Sequence, residues 1–186
     1  MLKGGWILAV ALTALFGSHE ALAAGPFTLT SNGFKDGERL PQKFAGSNKA
    51  NPNCVGENIS PELTISNPPE GTKSFALLML DPEGRPPAGV SHFVAYGIPA
   101  SVASFAEGEL SKSGDKFVGG IGTLKQSIYL GPCTPPGAPH HYIITLIATD
   151  LDPKEQKEGM TRDEVVKALD GHAKGATGRI GTFSHP

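Results

Sequence analysis

Asp81, His92 and the pair His140-His141 are the residues of this chain whose types suit proton transfer or the holding of an anion. Asp81 directly follows the apolar run SFALLML at 74–80, and Pro82 after it removes a backbone donor and stops a strand ladder. The loop PEGRPPAGVS then leads to His92 at the head of a further apolar run. If the two runs pair as neighbours, Asp81 and His92 face each other across the loop mouth. An unpaired buried carboxylate is heavily penalised, and a histidine N–H is a natural partner for it. The same spacing equally fits a plain structural hydrogen bond that ties the loop down.

The second block is YLGPCTPPGAPHHY at 129–142, stiffened by Pro132, Pro135, Pro136 and Pro139. Side chains alternate along a strand, so His140 and Tyr142 share one face and His141 points to the other. Gly131 allows a backbone N–H to approach a ligand closely. Rigid backbone donors beside a histidine make an anion cradle; the alternative is that His140 and His141 cap a strand end. Asp81, His92 and His140 also form a two-histidine, one-carboxylate set of the kind that suits iron or zinc, although no HxD or HxxxH pair supports it. There is no GxSxG elbow for a hydrolase. Cys133 near His140 would be a nucleophile only if it were a free thiol. Arg85 reads as solvated.

These side chains need a sheet to hold them. Strands are expected at 27–31, 63–66, 74–80, 92–98, 127–130 and 142–149, joined by frequent glycine and proline turns. SFALLML and YIITLIAT are apolar on both faces, which places them in the middle of a sheet covered on both sides. One helix is expected over 162–176. Thr161 and Glu164 give the Thr-x-x-Glu capping pattern, and Val165, Leu169 and His172 form its buried stripe. Gly171 weakens that helix by about 1 kcal/mol relative to alanine. KEQKEG before it reads as a solvated connection. The expectation is one mainly β domain over 24–186.

Length and composition agree: 186 residues, 39% hydrophobic and 18% charged, describe a single globular domain and no fibrous or disordered chain. A net charge of -2 without a Lys/Arg run argues against a nucleic-acid partner. Lys3, the apolar stretch 6–16 and Ala21-Leu22-Ala23 read as an export signal over 1–23, because the stretch falls short of the roughly 20 residues of a membrane span. The mature protein is then periplasmic or secreted, with no stable membrane insertion. In an oxidising compartment Cys54 and Cys133 are expected to form a disulfide, with two free thiols as the alternative. No cofactor is called for.

Taken together, these blocks resemble the phosphatidylethanolamine-binding protein family, in its bacterial Raf-kinase-inhibitor-like branch. The resemblance is carried by FKDGERLPQKFA (34–45), CVGENISPEL (54–63), GTKSFALLMLDPE (71–83), GVSHFVAYGIPA (89–100), YLGPCTPP (129–136) and HHYIITLIATDL (140–151), in the family's order. It implies a large antiparallel β core with a smaller sheet and a C-terminal helix, and one anion pocket at the sheet's end for phosphate-bearing head groups or similar anions. Asp81 and His92 would be the pocket's carboxylate and first histidine, with Pro82 beside them. Gly131 would be a backbone donor, Pro132 a wall, His140 the second histidine and Tyr142 its tyrosine. The chain departs from the family at Glu83, where a second aspartate is usual, at Gly84-Arg85-Pro86-Pro87, at Phe93 in place of tryptophan, and at Thr134 within the proline run. Arg85 near the mouth would favour a more highly charged anion.

Three functional readings are open at this point. In the first, an exported non-catalytic protein binds a small anion, with Asp81 orienting His92. In the second, the protein is an interaction module that inhibits or modulates a protein partner such as a kinase or protease. In the third, the His/Asp pair acts as general acid and base, a role to which histidine's unperturbed pKa of about 6.5 is suited.

Overall fold

The computed structural model describes Met1 and residues 25–186; the rest of the expected export signal lies outside the described residues. The apolar runs form the central strands. In chain order the elements are β1 (Thr28–Thr30), β2 (Leu63–Ser66), β3 (Ser74–Asp81), β4 (Val90–Pro99), β5 (Ser104–Phe105), β6 (Val118–Gly119), β7 (His140–Thr149), α1 (Arg162–Ala168) and β8 (Ala173–Phe183). They build a small sheet ordered β1-β2-β5 and a large one ordered β6-β4-β3-β7-β8, with every strand pair antiparallel.

β3 lies at the centre of the large sheet because both of its faces are apolar. Its odd-numbered residues Phe75, Leu77 and Met79 join Tyr142, Ile144 and Leu146 of β7 in the main core, which includes Leu29, Leu63 and Ile65 from the small sheet. Its even-numbered residues Ala76 and Leu78 face the other way, with Val94 and Tyr96, and meet Val165 of α1 and Leu169 just after it. A sheet covered on both sides reads as a continuous apolar run rather than an alternating one.

Three expectations change. The helix is shorter: it ends at Ala168, with Leu169 as its C-cap, and Gly171 turns the chain in a left-handed conformation at φ 76. Beyond that turn the chain is strand, and β8 pairs with β7 along its whole length, from Ala173 opposite Thr149 to Phe183 opposite His140. AKGATGRIGTF carries little apolar periodicity, so main-chain hydrogen bonds to the edge of β7, more than side-chain burial, give it its conformation. His172 therefore leaves the expected helical stripe; it is exposed, and its Nδ1 lies 2.8 Å from Asp150 Oδ1. Residues 127–130 form no strand and run instead as a loop that bends at Ser127 and Ile128, with Tyr129 N–H donating to Leu110 and Leu130 N–H to His92. The two-residue strands β5 and β6 are too short to have left a periodic signal.

The start of α1 agrees with its sequence pattern. Glu164 N–H donates to Thr161 Oγ1 at 3.4 Å and Thr161 N–H donates to Glu164 Oε2 at 2.8 Å. Thr161→Ala is expected to lower unfolding free energy by about 1 kcal/mol, read as a shifted urea midpoint at unchanged slope.

Candidate functional site

The end of β3 and the start of β4 would place Asp81 and His92 on opposite faces if alternation held without interruption. Met79 pairs with Phe93 and Leu80 with Ser91, so one residue of β4, His92, is extra. This bulge turns His92 to the same face as Asp81, whose partner across the ladder is Val90. The carbonyl of His92, freed from the ladder, accepts from Gln126 Nε2 at 3.0 Å and from Leu130 N–H at 3.2 Å. β7 brings His140 and Tyr142 to that same face, and His141 to the other, as strand alternation requires.

Asp81, His92, His140 and Tyr142 thus line one cavity of about 200 Å³ at the sheet's end. The hydrogen bonds within it differ from the expected ones. Asp81 Oδ1 accepts the N–H groups of Glu83 and Gly84, each at 2.9 Å, which folds the following loop back over the carboxylate. Asp81 Oδ2 lies 2.8 Å from His140 Nδ1 but 3.9 Å from His92 Nε2, so the aspartate orients His140 and not His92. His92 is held by Leu130, whose carbonyl accepts from Nδ1 at 2.9 Å. Its ring also packs edge-on to Tyr142, 5.1 Å between centroids. Burial pushes the His92 imidazole below its ordinary value, against the opposing pull of the Leu130 carbonyl and the Asp81 charge. Burial pushes the Tyr142 phenol up, and its hydroxyl lies 2.7 Å from Thr134 Oγ1. Among the described residues neither histidine's Nε2 has a hydrogen-bond partner.

The loop before β7 forms a wall of the cavity through Cys133, Thr134 and Pro135. Cys54 and Cys133 are joined in a disulfide, Cα atoms 4.3 Å apart, tying this loop to the segment that carries Asn51 on the facing wall. Gly131 does not serve as the expected donor. Its N–H is already committed to Asn58 Oδ1 at 2.8 Å, and the glycine is required because a Cβ there would run into the Phe44 carbonyl. Pro132 packs behind the wall, its carbonyl accepting from Gly46 N–H at 2.8 Å, and Pro82 is exposed; neither lines the cavity.

His141 pairs with Glu83, Nδ1 to Oε1 at 2.8 Å and backbone N–H to Oε2 at 3.0 Å. Slight burial raises the Glu83 carboxyl, but these bonds to His141 outweigh it and leave the group below its ordinary value. Glu83 therefore clamps the loop from outside. Arg85 sits at the rim in a left-handed conformation, φ 53. Thr134 and Asn58 act without any sequence signal, since a buried threonine and a loop asparagine are ordinary until their partners are known. Among the described residues no three His, Cys, Asp or Glu side chains are disposed to hold a metal ion.

Two packed antiparallel sheets, with an Asp-His-His-Tyr cavity where the central strands of the larger one end, define a class of mainly β proteins with a rim pocket. The family model of the phosphatidylethanolamine-binding proteins matches residues 30–184, and the chain belongs to that family. It is 33% identical over 161 residues to a Chlamydia muridarum UPF0098 protein, covering 83% of this chain and 97% of that one. It is 32% identical over 176 residues to the Mycobacterium tuberculosis protein LppC, which carries a lipoprotein name, covering 92% of this chain and 79% of that one. The crystal structure of Escherichia coli YbcL, described as a new member of the mammalian PEBP family, superposes with a TM-score of 0.76 at 29% identity, covering 85% of this chain and 98% of that one.

Proposed function

We propose that the protein is an exported, non-catalytic binding protein that holds a small anion or phosphate-bearing head group in the Asp81 cavity. The observation that carries this reading is a pair of histidines beside one buried carboxylate, each ring held through Nδ1. His140 is fixed by Asp81 and His92 by Leu130, each through Nδ1, so both rings keep Nε2 for a ligand. A ring that takes up a proton then presents an N–H donor of fixed direction, and the bonded aspartate stabilises the charge. Arg85 at the rim adds a positive charge outside. Export to an oxidising compartment is supported by the Cys54–Cys133 disulfide and by the lipoprotein name of a relative.

Titration calorimetry of the mature protein with phosphate, phosphoethanolamine and acetate, beside His140→Ala, tests the reading. Saturable binding of a phosphate-bearing ligand, weakened at least about tenfold by the substitution (about 1.4 kcal/mol), is expected. Binding indifferent to His140→Ala would move the ligand out of this cavity.

A further inference from the structure

On the opposite face of β3 and β4, behind the Asp81 cavity, lies another cavity of about 250 Å³. Leu80 and Ser91, paired across the two strands on the face away from His92, form its floor, and Thr123, Lys125, Arg162 and Asp163 line its walls.

Ser91 is only 7% exposed, and its Oγ has no hydrogen-bond partner among the described residues. A buried polar group without a partner costs about 1–3 kcal/mol, and such an atom in a native fold calls for an unplaced partner. The backbone of Ser91 is fully used, its N–H donating to Thr123 Oγ1 at 2.8 Å and its carbonyl accepting from Thr123 N–H at 3.1 Å. Because Thr123 Oγ1 accepts there, its own hydroxyl hydrogen remains to be donated. Arg162 bonds Asp163 Oδ1 through Nη1 at 3.2 Å, while its Nε is buried and unpartnered. Lys125 has no ion-pair partner among the described residues. The one carboxylate on these walls, Asp163, has a side chain 91% exposed.

The groups left over are therefore two hydroxyls, a guanidinium N–H and an ammonium, nearly all donors around a cavity with a net positive wall. A cation would meet the positive charges of Lys125 and Arg162, offset only by the exposed Asp163, and a neutral apolar ligand would leave every one of these donors unmet. We propose that this cavity is a second, separate binding site, which takes a small organic oxyanion, carboxylate or phosphate, on Ser91, Thr123, Lys125 and Arg162. No histidine takes part, so its affinity is flat between pH 6 and 9 for an anion of constant charge and falls with added salt, as expected for ligands held by fixed charges. This inference does not rest on the reading of the Asp81 cavity.

Two substitutions separate the sites. In the His140→Ala protein, acetate and phosphate titrations are expected to retain one saturable event, weakened about tenfold or more when Arg162→Gln is added. Acetate should also shift the backbone amide resonances of Ser91 and Thr123. Ser91→Ala, which removes an unpartnered hydroxyl, is expected to weaken the same event without lowering the unfolding midpoint. Arg162 is partly exposed, so folding of its variant is checked by that midpoint. If the His140→Ala protein binds neither anion, or if its residual binding ignores Arg162→Gln, the second site is overturned while the first stands. If His140→Ala changes nothing and Arg162→Gln removes all binding, the second site stands and the Asp81 reading falls.

Discussion

The protein with Cys54 and Cys133 both replaced by alanine is expected to unfold with about 4 kcal/mol less free energy than the parent. The bridge closes a loop with a sequence separation of 79 residues, and the loss of unfolded-state entropy for a loop of that size is on the order of 4 kcal/mol. A second effect falls on the cavity. The bridge fastens the wall carrying Cys133, Thr134 and Pro135 to the segment carrying Asn51, and Thr134 in turn anchors the Tyr142 hydroxyl. Three other bonds hold the same loop: Tyr129 Oη to the Phe44 carbonyl at 2.9 Å, Gly131 N–H to Asn58 at 2.8 Å, and Gly46 N–H to the Pro132 carbonyl at 2.8 Å. The sheet should therefore survive and the wall loosen, so anion affinity drops while far-UV circular dichroism is retained. Urea unfolding of both proteins, beside the parent under reducing conditions, measures the first effect. A loss under about 1 kcal/mol, with unchanged affinity, would show that the backbone bonds alone fix the loop.

Much of this arrangement was legible in the residues because it derives from apolar patterning. SFALLML and YIITLIAT are apolar on both faces, so they had to be inner strands, and β3 and β7 are neighbours in the large sheet. Alternation along the second run separates His141 from His140 and Tyr142 without reference to any other part of the molecule. The Thr161–Glu164 pattern marked a helix start correctly because a cap is a local device. What could not be read depends on partners distant in sequence. β8 is a strand because β7 offers it an edge, so its glycine-rich composition carries little of the signal. The bulge that brings His92 to the face of Asp81 is a fact of register between two strands, and the histidine that bonds the carboxylate, His140, lies 59 residues along the chain on β7. Gly131 looked like a free donor because its acceptor, Asn58, lies 73 residues earlier.

The pocket histidines are expected to make stability and, on the proposed function, anion affinity depend on pH in opposite directions. Burial holds folded His92 below the ordinary histidine value near 6.5. As pH falls through about 6.5, the unfolded chain gains a proton that the folded one refuses, so this group's contribution to stability is present above that pH. It is lost progressively on acidification, with a slope of at most about 1.4 kcal/mol per pH unit, and the loss stops below the folded value of His92. An anion in the cavity reverses the preference. Both Nδ1 hydrogens are committed, one to Leu130 and one to Asp81, so a neutral ring offers the ligand only a lone pair. Binding must then take up a proton. For phosphoethanolamine between pH 7 and 9, where a phosphate monoester is fully ionised (second pKa about 6), uptake of one proton weakens binding by about tenfold per pH unit. Calorimetry in buffers of different ionisation enthalpy counts that proton directly. A pH-independent affinity with no proton uptake would mean that the anion is not held by either imidazole, and it is the behaviour expected of the second cavity. Uptake that persists in His140→Ala assigns the proton to His92. Uptake that disappears there assigns it to His140, whose bond to Asp81 then acts as the counter-charge that makes the cavity an anion site.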